Sequence, residues 1–65
     1  MTREEFRYAL LDDGWAETLP DVFRYEDDAI KMEEKCAFFF GGDGNYVGIP
    51  YEKLEIRNGD FSIRS

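Results

Sequence analysis

Two short runs of carboxylates are the residues best suited to chemistry in this 65-residue chain. Asp12-Asp13 and Glu26-Asp27-Asp28 could bind a hard cation such as Ca²⁺, which takes several oxygen ligands. A calcium loop of the EF-hand type needs acids at alternating positions, an internal glycine and a terminal glutamate, and neither run has that spacing. Paired carboxylates could also act as general acid and base, but so short a chain cannot enclose a sugar. We therefore interpret both runs as solvated acids and expect no metal.

The other candidates for chemistry lack the groups that they would need. Gly41-Gly42-Asp43-Gly44 is as rich in glycine as a phosphate-binding loop, but the Gly-Lys-Ser/Thr ending is missing and Asp43 would repel phosphate. Cys36, the single cysteine, follows Glu33 and Glu34, and the chain has no histidine to activate it as a nucleophile. We therefore expect a protein that is not an enzyme and that has no catalytic residue and no cofactor.

The negative charge of the chain is concentrated in its N-terminal half. Residues 1–28 hold nine acids against three bases, a net charge of −6, whereas residues 29–65 hold six acids against five bases, a net charge of −1. An oriented negative field repels nucleic acid and anionic membranes and attracts basic surfaces. The charge pattern therefore favours a protein partner with a basic surface, and no direct binding of nucleic acid or membrane.

Length and composition predict a single small domain over residues 1–65. A chain of this length buries only about 60% of its unfolded surface. Six Phe, four Tyr and one Trp compensate, because aromatic side chains bury large apolar areas. A lone cysteine excludes an internal disulfide, and the N-terminus lacks the apolar segment of a signal peptide. We therefore expect a cytoplasmic monomer.

The N-terminal segment carries the signals of a helix from residue 3 to about residue 13. Thr2 and Glu5 fit a capping box, and Gly14 suits the left-handed residue that follows a helix. Asp12-Asp13 in the last turn opposes the helix dipole, at a cost of about 0.3–1 kcal/mol for each residue. A helix selected only for stability would carry Lys or Arg there.

The rest of the chain predicts short strands joined by turns. Residues 29–40 are ambiguous, because alternation indicates two strands with a turn near Glu34-Lys35, whereas a stripe of apolar residues would also fit a helix; flanking strand signals favour the strands. The other expected elements are a connector at Leu19-Pro20-Asp21, a strand at 22–25, turns at 26–28 and 41–45, a strand at 46–49, a bend or single helical turn at 50–53, and a hairpin at 54–63 around Asn58-Gly59. We predict an α+β fold with one N-terminal helix packed on a small antiparallel β-sheet (meander).

Phe38-Phe39-Phe40 must divide between the two faces of a strand, with Phe39 opposite its neighbours. Either the helix and other aromatic residues cover both faces, or an exposed aromatic side chain serves as an interface anchor. The sequence leaves both interpretations open.

Three segments carry a family resemblance, namely Met1–Phe6, Asp12-Asp13-Gly14-Trp15 and Tyr25–Asp28. With these segments in a tiny, acidic and aromatic-rich chain, the whole protein resembles the small acidic anti-CRISPR proteins of phages, in particular inhibitors of type I Cascade complexes, type I-C among them. The resemblance implies a Cas effector subunit or complex as partner, the cytoplasm of a bacterial host as location, and inhibition by occupying a basic groove that target DNA needs.

Charge and resemblance together lead to the first functional hypothesis, a CRISPR-Cas inhibitor that binds through an acidic, DNA-mimicking surface. Its candidate partner-binding residues are seven acids and two aromatic anchors: Glu4, Asp12, Asp13, Trp15, Glu17, Tyr25, Glu26, Asp27 and Asp28. The alternative hypothesis is a small structural or adaptor domain that docks or oligomerises through an exposed aromatic face. Only the first hypothesis predicts binding that fades with salt.

Overall fold

In the computed structural model, which describes residues 1–57 and 60–63, one helix packs on an antiparallel sheet. The first five strands form this sheet in chain order, and the last two form a separate two-stranded sheet. The elements are α1 (Arg3–Asp12), β1 (Ala16–Leu19), β2 (Val22–Tyr25), β3 (Asp28–Met32), β4 (Cys36–Phe40), β5 (Tyr46–Pro50), a 3₁₀ turn (Tyr51–Lys53), β6 (Leu54–Arg57) and β7 (Asp60–Ile63). The predicted α+β fold is confirmed.

The predicted capping box starts α1. The Glu5 backbone N–H donates to Thr2 Oγ1 at 3.1 Å, and the Thr2 N–H donates to Glu5 Oε1 at 2.7 Å. The helix ends at Asp12, one residue earlier than expected, with Asp13 as the C-cap. Gly14 has φ +95°, a conformation that a side chain would disfavour, so it turns the chain towards the sheet as predicted.

The sequence prediction placed Leu19 in a connector and assigned no element to residues 16–18, whereas Ala16–Leu19 form β1. The sequence Ala-Glu-Thr-Leu does not alternate between apolar and polar residues, and all four residues are exposed at the edge of the sheet, so the strand has no pattern by which to recognise it. Pro20-Asp21 closes the β1–β2 hairpin, since Leu19 pairs with Val22. Asp21 adopts φ +64°, a left-handed conformation that aspartate tolerates better than most residues.

Residues 29–40 form two strands, as the prediction favoured. Ile30 pairs with Phe39 and Met32 pairs with Ala37. Each of these pairs therefore contributes two apolar side chains to the face of the sheet that packs against the core. The turn before β3 is shorter than expected, because Asp28 already pairs with Tyr25 as a strand residue. The predicted turn at Asn58-Gly59 lies outside the described residues.

Phe6 occupies the centre of the core. It is fully buried, and its ring centroid lies 5.9 Å from Phe39 on β4, 5.9 Å from Tyr51 on the 3₁₀ turn and 5.3 Å from Phe61 on β7. The remaining buried core residues are Leu10, Phe23, Ile30, Met32, Ala37, Ile49, Tyr51 and Leu54. One helical side chain therefore joins the two sheets.

Replacing Phe6 with Ala should reduce the free energy of unfolding by about 3–5 kcal/mol, because it leaves a cavity where three aromatic rings meet. A domain of this length is stable by roughly 3–10 kcal/mol in total, so the variant should be largely unfolded at 37 °C. Urea unfolding followed by Trp15 fluorescence measures the loss. Tyr8→Ala on the same helix, at a side chain that is 66% exposed, is the control and should change stability by at most about 0.5 kcal/mol. A loss below about 1 kcal/mol for Phe6→Ala would contradict the central role of this ring.

Candidate functional site

Six carboxylates gather at one end of the molecule, which we call the acidic end. They come from the C-terminus of α1, the β2–β3 turn and the β4–β5 loop: Asp12, Asp13, Glu26, Asp27, Asp28 and Asp43. Alternate turns of an antiparallel meander lie at the same end of the sheet, which places the β2–β3 turn beside the β4–β5 loop. The two turns touch, since a β-carbon on Gly42 would lie 3.1 Å from Asp27 Cβ.

An aromatic pair brings the end of α1 to the same place. The ring centroids of Trp15 and Tyr25 lie 5.5 Å apart with planes inclined by 38°. The backbone N–H of Trp15 donates to the Leu10 carbonyl at 3.0 Å, which fixes the chain as it leaves the helix. Gly14 lies against Tyr25, because a β-carbon there would be 3.6 Å from its ring. Trp15 is half-buried and Tyr25 is 44% exposed, so the pair offers apolar surface among the acids.

No described basic residue neutralises the acidic end. Among the described residues, Arg3 pairs with Asp21, Arg7 pairs with Glu17 and Asp21, and Lys31 pairs with Glu33. None of these ion pairs includes an acid of this end. The Asp43 carboxylate accepts hydrogen bonds from the Asn45 backbone and side chain, both at 3.0 Å, and these bonds lower its pKa. The acidic end is therefore a group of carboxylates that form no ion pair with a described residue.

Glu17 has a structural role apart from the acidic end. The Arg7 guanidinium binds its carboxylate with two N–H groups, with Nη1 at 2.8 Å from Oε2, and the Asp21 N–H donates to the same oxygen at 3.0 Å. The Arg7 hydrogen bonds, followed by the Asp21 N–H, lower the pKa of Glu17 to about 2. Arg7 also lies over the Phe23 ring, at 5.5 Å from its centroid. This group fastens α1 to the β1 edge.

The structure thus gathers seven of the nine candidate residues at the acidic end and separates two. Glu4 lies in the first turn of α1, at the opposite end of the helix from Asp12-Asp13, and Glu17 is held by Arg7. Sequence reasoning missed Asp43 as a member, because its loop was considered as a turn and as a phosphate-binding loop but not as part of an acidic surface. The predicted meander could have identified Asp43, because the turns before β3 and β5 lie at the same end of such a sheet.

The side of the five-stranded sheet that faces away from α1, here called the outer face, has a different chemistry. Phe40 stacks on Tyr46 with ring centroids 5.5 Å apart, and Phe38 lies 6.4 Å from Tyr46. Phe38 covers Gly48, where a β-carbon would lie 2.7 Å from the ring. Phe39 points to the core, where it contacts Phe6, whereas Phe38 and Phe40 lie on the outer face, Phe38 half-buried and Phe40 exposed. The charged strand residues on the outer face are both basic, Arg24 and Lys31, as the pairing register shows.

The Arg7–Glu17 pair predicts a specific dependence of stability on pH. A carboxyl group with a lowered pKa stabilises the folded state at pH values above its ordinary pKa of 4.5, and the contribution disappears as the pH falls towards 2. Wild type should therefore have a higher melting temperature than Glu17→Gln at pH 6, and the two should converge near pH 2. The control is Glu34→Gln, because the Glu34 carboxylate forms no ion pair with a described residue. The difference in melting temperature between this variant and wild type should not change in the same way between pH 6 and pH 2. A constant difference between wild type and Glu17→Gln across this range would contradict the role of the pair.

The comparisons with known proteins assign no family and no function to the chain. No family model, no curated protein and no solved structure matches the chain. Within residues 1–57 and 60–63, His, Cys, Asp and Glu side chains nowhere form a group of three or more that could hold a metal ion. In the same part of the chain no helix has the length and apolar composition needed to cross a membrane. The carboxylates of the acidic end are spread over a surface and do not converge on one point.

Proposed function

We propose that the protein is a non-enzymatic inhibitor that binds a basic, nucleic-acid-binding surface of a partner protein with its acidic end. The observation that supports this most strongly is the gathering of six carboxylates from three segments, with no basic partner among the described residues. Duplex DNA carries one charge per roughly 1.7 Å of its axis, and a channel of Lys and Arg side chains is adapted to that density. A concentrated negative surface competes for such a channel.

The aromatic pair gives the acidic end a means of binding tightly as well as quickly. Charge complementarity mainly accelerates and orients association. Buried aromatic side chains, above all Trp and Tyr, supply much of the binding energy at protein interfaces. Trp15 and Tyr25 lie between the helix end and the β2–β3 turn, so a partner that covers the acids also covers the rings.

The resemblance to anti-CRISPR proteins makes a Cas effector complex the first partner to test. A type I Cascade complex has to bind target DNA, so a protein that occupies its basic groove would block that step. The inhibitor would act in the cytoplasm of the bacterial host, as a monomer and without touching DNA itself.

Reversing two charges at the helix end tests the proposal. Asp12→Lys/Asp13→Lys should weaken binding to the effector complex by about tenfold at physiological salt, mainly through slower association. The same change should not destabilise the domain, because lysine in the last turn of a helix suits the dipole. Surface plasmon resonance measures the rates, and thermal unfolding checks the fold.

The matched control is Glu34→Lys/Glu52→Lys, which changes the net charge equally at the opposite end of the sheet. It should slow association by no more than about twofold. Equal losses for the two double variants would show that net charge alone matters and would contradict a defined acidic surface. Undiminished binding after reversal of Asp12-Asp13 and neutralisation of the β2–β3 turn would also contradict it.

The outer face supports a second candidate function, docking or self-association through exposed aromatic residues. Tyr46 is 67% exposed and stacks on Phe40, and strand residues of this face carry no acid. Such an interface would be insensitive to salt and would make the apparent mass depend on concentration. Sedimentation equilibrium separates the candidates: our proposal predicts a monomer at all concentrations, whereas association that Phe40→Ser/Tyr46→Ser abolishes would favour the second candidate.

A further inference from the structure

A groove of about 610 Å³ lies on the core side of the five-stranded sheet, between Trp15 and the paired strands β6 and β7. Its walls are mostly apolar, with Trp15, Phe39, Val47, Phe61 and Ile63 among the lining residues. Val47 is 52% exposed and Ile63 is 59% exposed, so the groove is open to solvent along this side. Its size and apolar lining are typical of sites that accept a ligand or an anchoring side chain.

One charged group indicates what the groove would accept. Asp28 is the one charged residue among the described residues that line it, and it belongs to the acidic end. Ser62 also belongs to the lining, but its hydroxyl oxygen is buried, so it does not face a ligand in the groove. Among its described lining residues, the groove therefore combines apolar walls with a single carboxylate.

We propose that the groove binds an apolar side chain of the partner protein that is directly adjacent to an Arg or Lys. The apolar side chain packs against Trp15, Phe39 and Val47, and the neighbouring cation pairs with Asp28. This extends the proposed function and rests on it for the identity of the partner, because a basic surface supplies the cation. A second copy of this chain fits less well, since each copy carries a net charge of −7 and would bring its own acids to Asp28.

A capped dipeptide tests the groove without any partner protein. Trp15 is the single tryptophan, so its fluorescence reports on the groove directly. Titration with N-acetyl-Phe-Arg-amide should change its emission saturably and shift the amide resonances of Phe39 and Val47. N-acetyl-Phe-Glu-amide should bind at least about threefold more weakly, because Asp28 repels its carboxylate. Asp28→Asn should remove most of this preference. Equal binding of the two peptides to wild type, or no saturable change with either, would overturn the proposal.

A pair of matched variants locates the binding. Val47→Phe fills the groove and should abolish the change in Trp15 emission, whereas Leu19→Phe makes the same kind of change at an exposed strand residue on the outer face and should leave it intact. Binding to Val47→Phe that equals wild type would overturn the groove as the site.

The groove and the acidic end can fail separately. If the dipeptide binds but Cascade is not captured, the groove stands and the proposed partner is wrong. If Cascade is captured equally by wild type and Val47→Phe, and the dipeptide does not bind, the groove is wrong and the acidic end stands. Sedimentation with and without the dipeptide tests whether a second copy of this chain occupies the groove. A dimer that the dipeptide dissociates would assign the groove to a second copy and overturn the proposal.

Discussion

The Phe6 ring is the contact on which the rest of the structure depends. It is the point where α1, β4, the 3₁₀ turn and β7 meet, and its three aromatic neighbours lie within 6 Å of its centroid. A chain of 65 residues has few other ways to hold two sheets together, because its core is small and it has no disulfide. The N-terminal ammonium reinforces this arrangement by donating to the carbonyls of Tyr51 and Leu54, at 2.8 and 3.0 Å. With α1 fixed in this way, its C-terminus is held beside the β2–β3 turn.

The distribution of the basic residues explains why one end of the molecule is so negative. Arg3 and Arg7 are both engaged in fastening α1 to the β1–β2 hairpin, through Asp21 and Glu17. Arg24 and Lys31 lie on the outer face. None of these four basic residues therefore forms an ion pair with a carboxylate of the acidic end. Asp12 and Asp13 oppose the helix dipole without any compensating basic partner in the described chain, a stability penalty that a binding role would explain.

Much of the fold could be predicted because its signals are local. The capping box at Thr2, the glycine after the helix and the alternation in residues 29–40 each specify a short stretch of chain. Strand β1 could not be predicted, because its four exposed residues are held by pairing to β2 and by the contact of Glu17 with Arg7, neither of which leaves a local pattern in the sequence. The grouping of acids at the acidic end was predicted in part for the same reason. Sequence identified the acids of the helix end and the β2–β3 turn, but the separation of Glu17 depends on a contact with Arg7 across the fold, and the inclusion of Asp43 depends on strand order.

Competition with DNA tests the role of the acidic end most directly. Purified type I Cascade would be captured by the immobilised protein over a series of salt concentrations, with target DNA added as competitor. We predict capture that weakens as salt rises, because exposed charges are screened beyond roughly 8 Å at physiological ionic strength, and that target DNA reverses. Capture that is unaffected by both salt and DNA would contradict an acidic end that takes the place of nucleic acid.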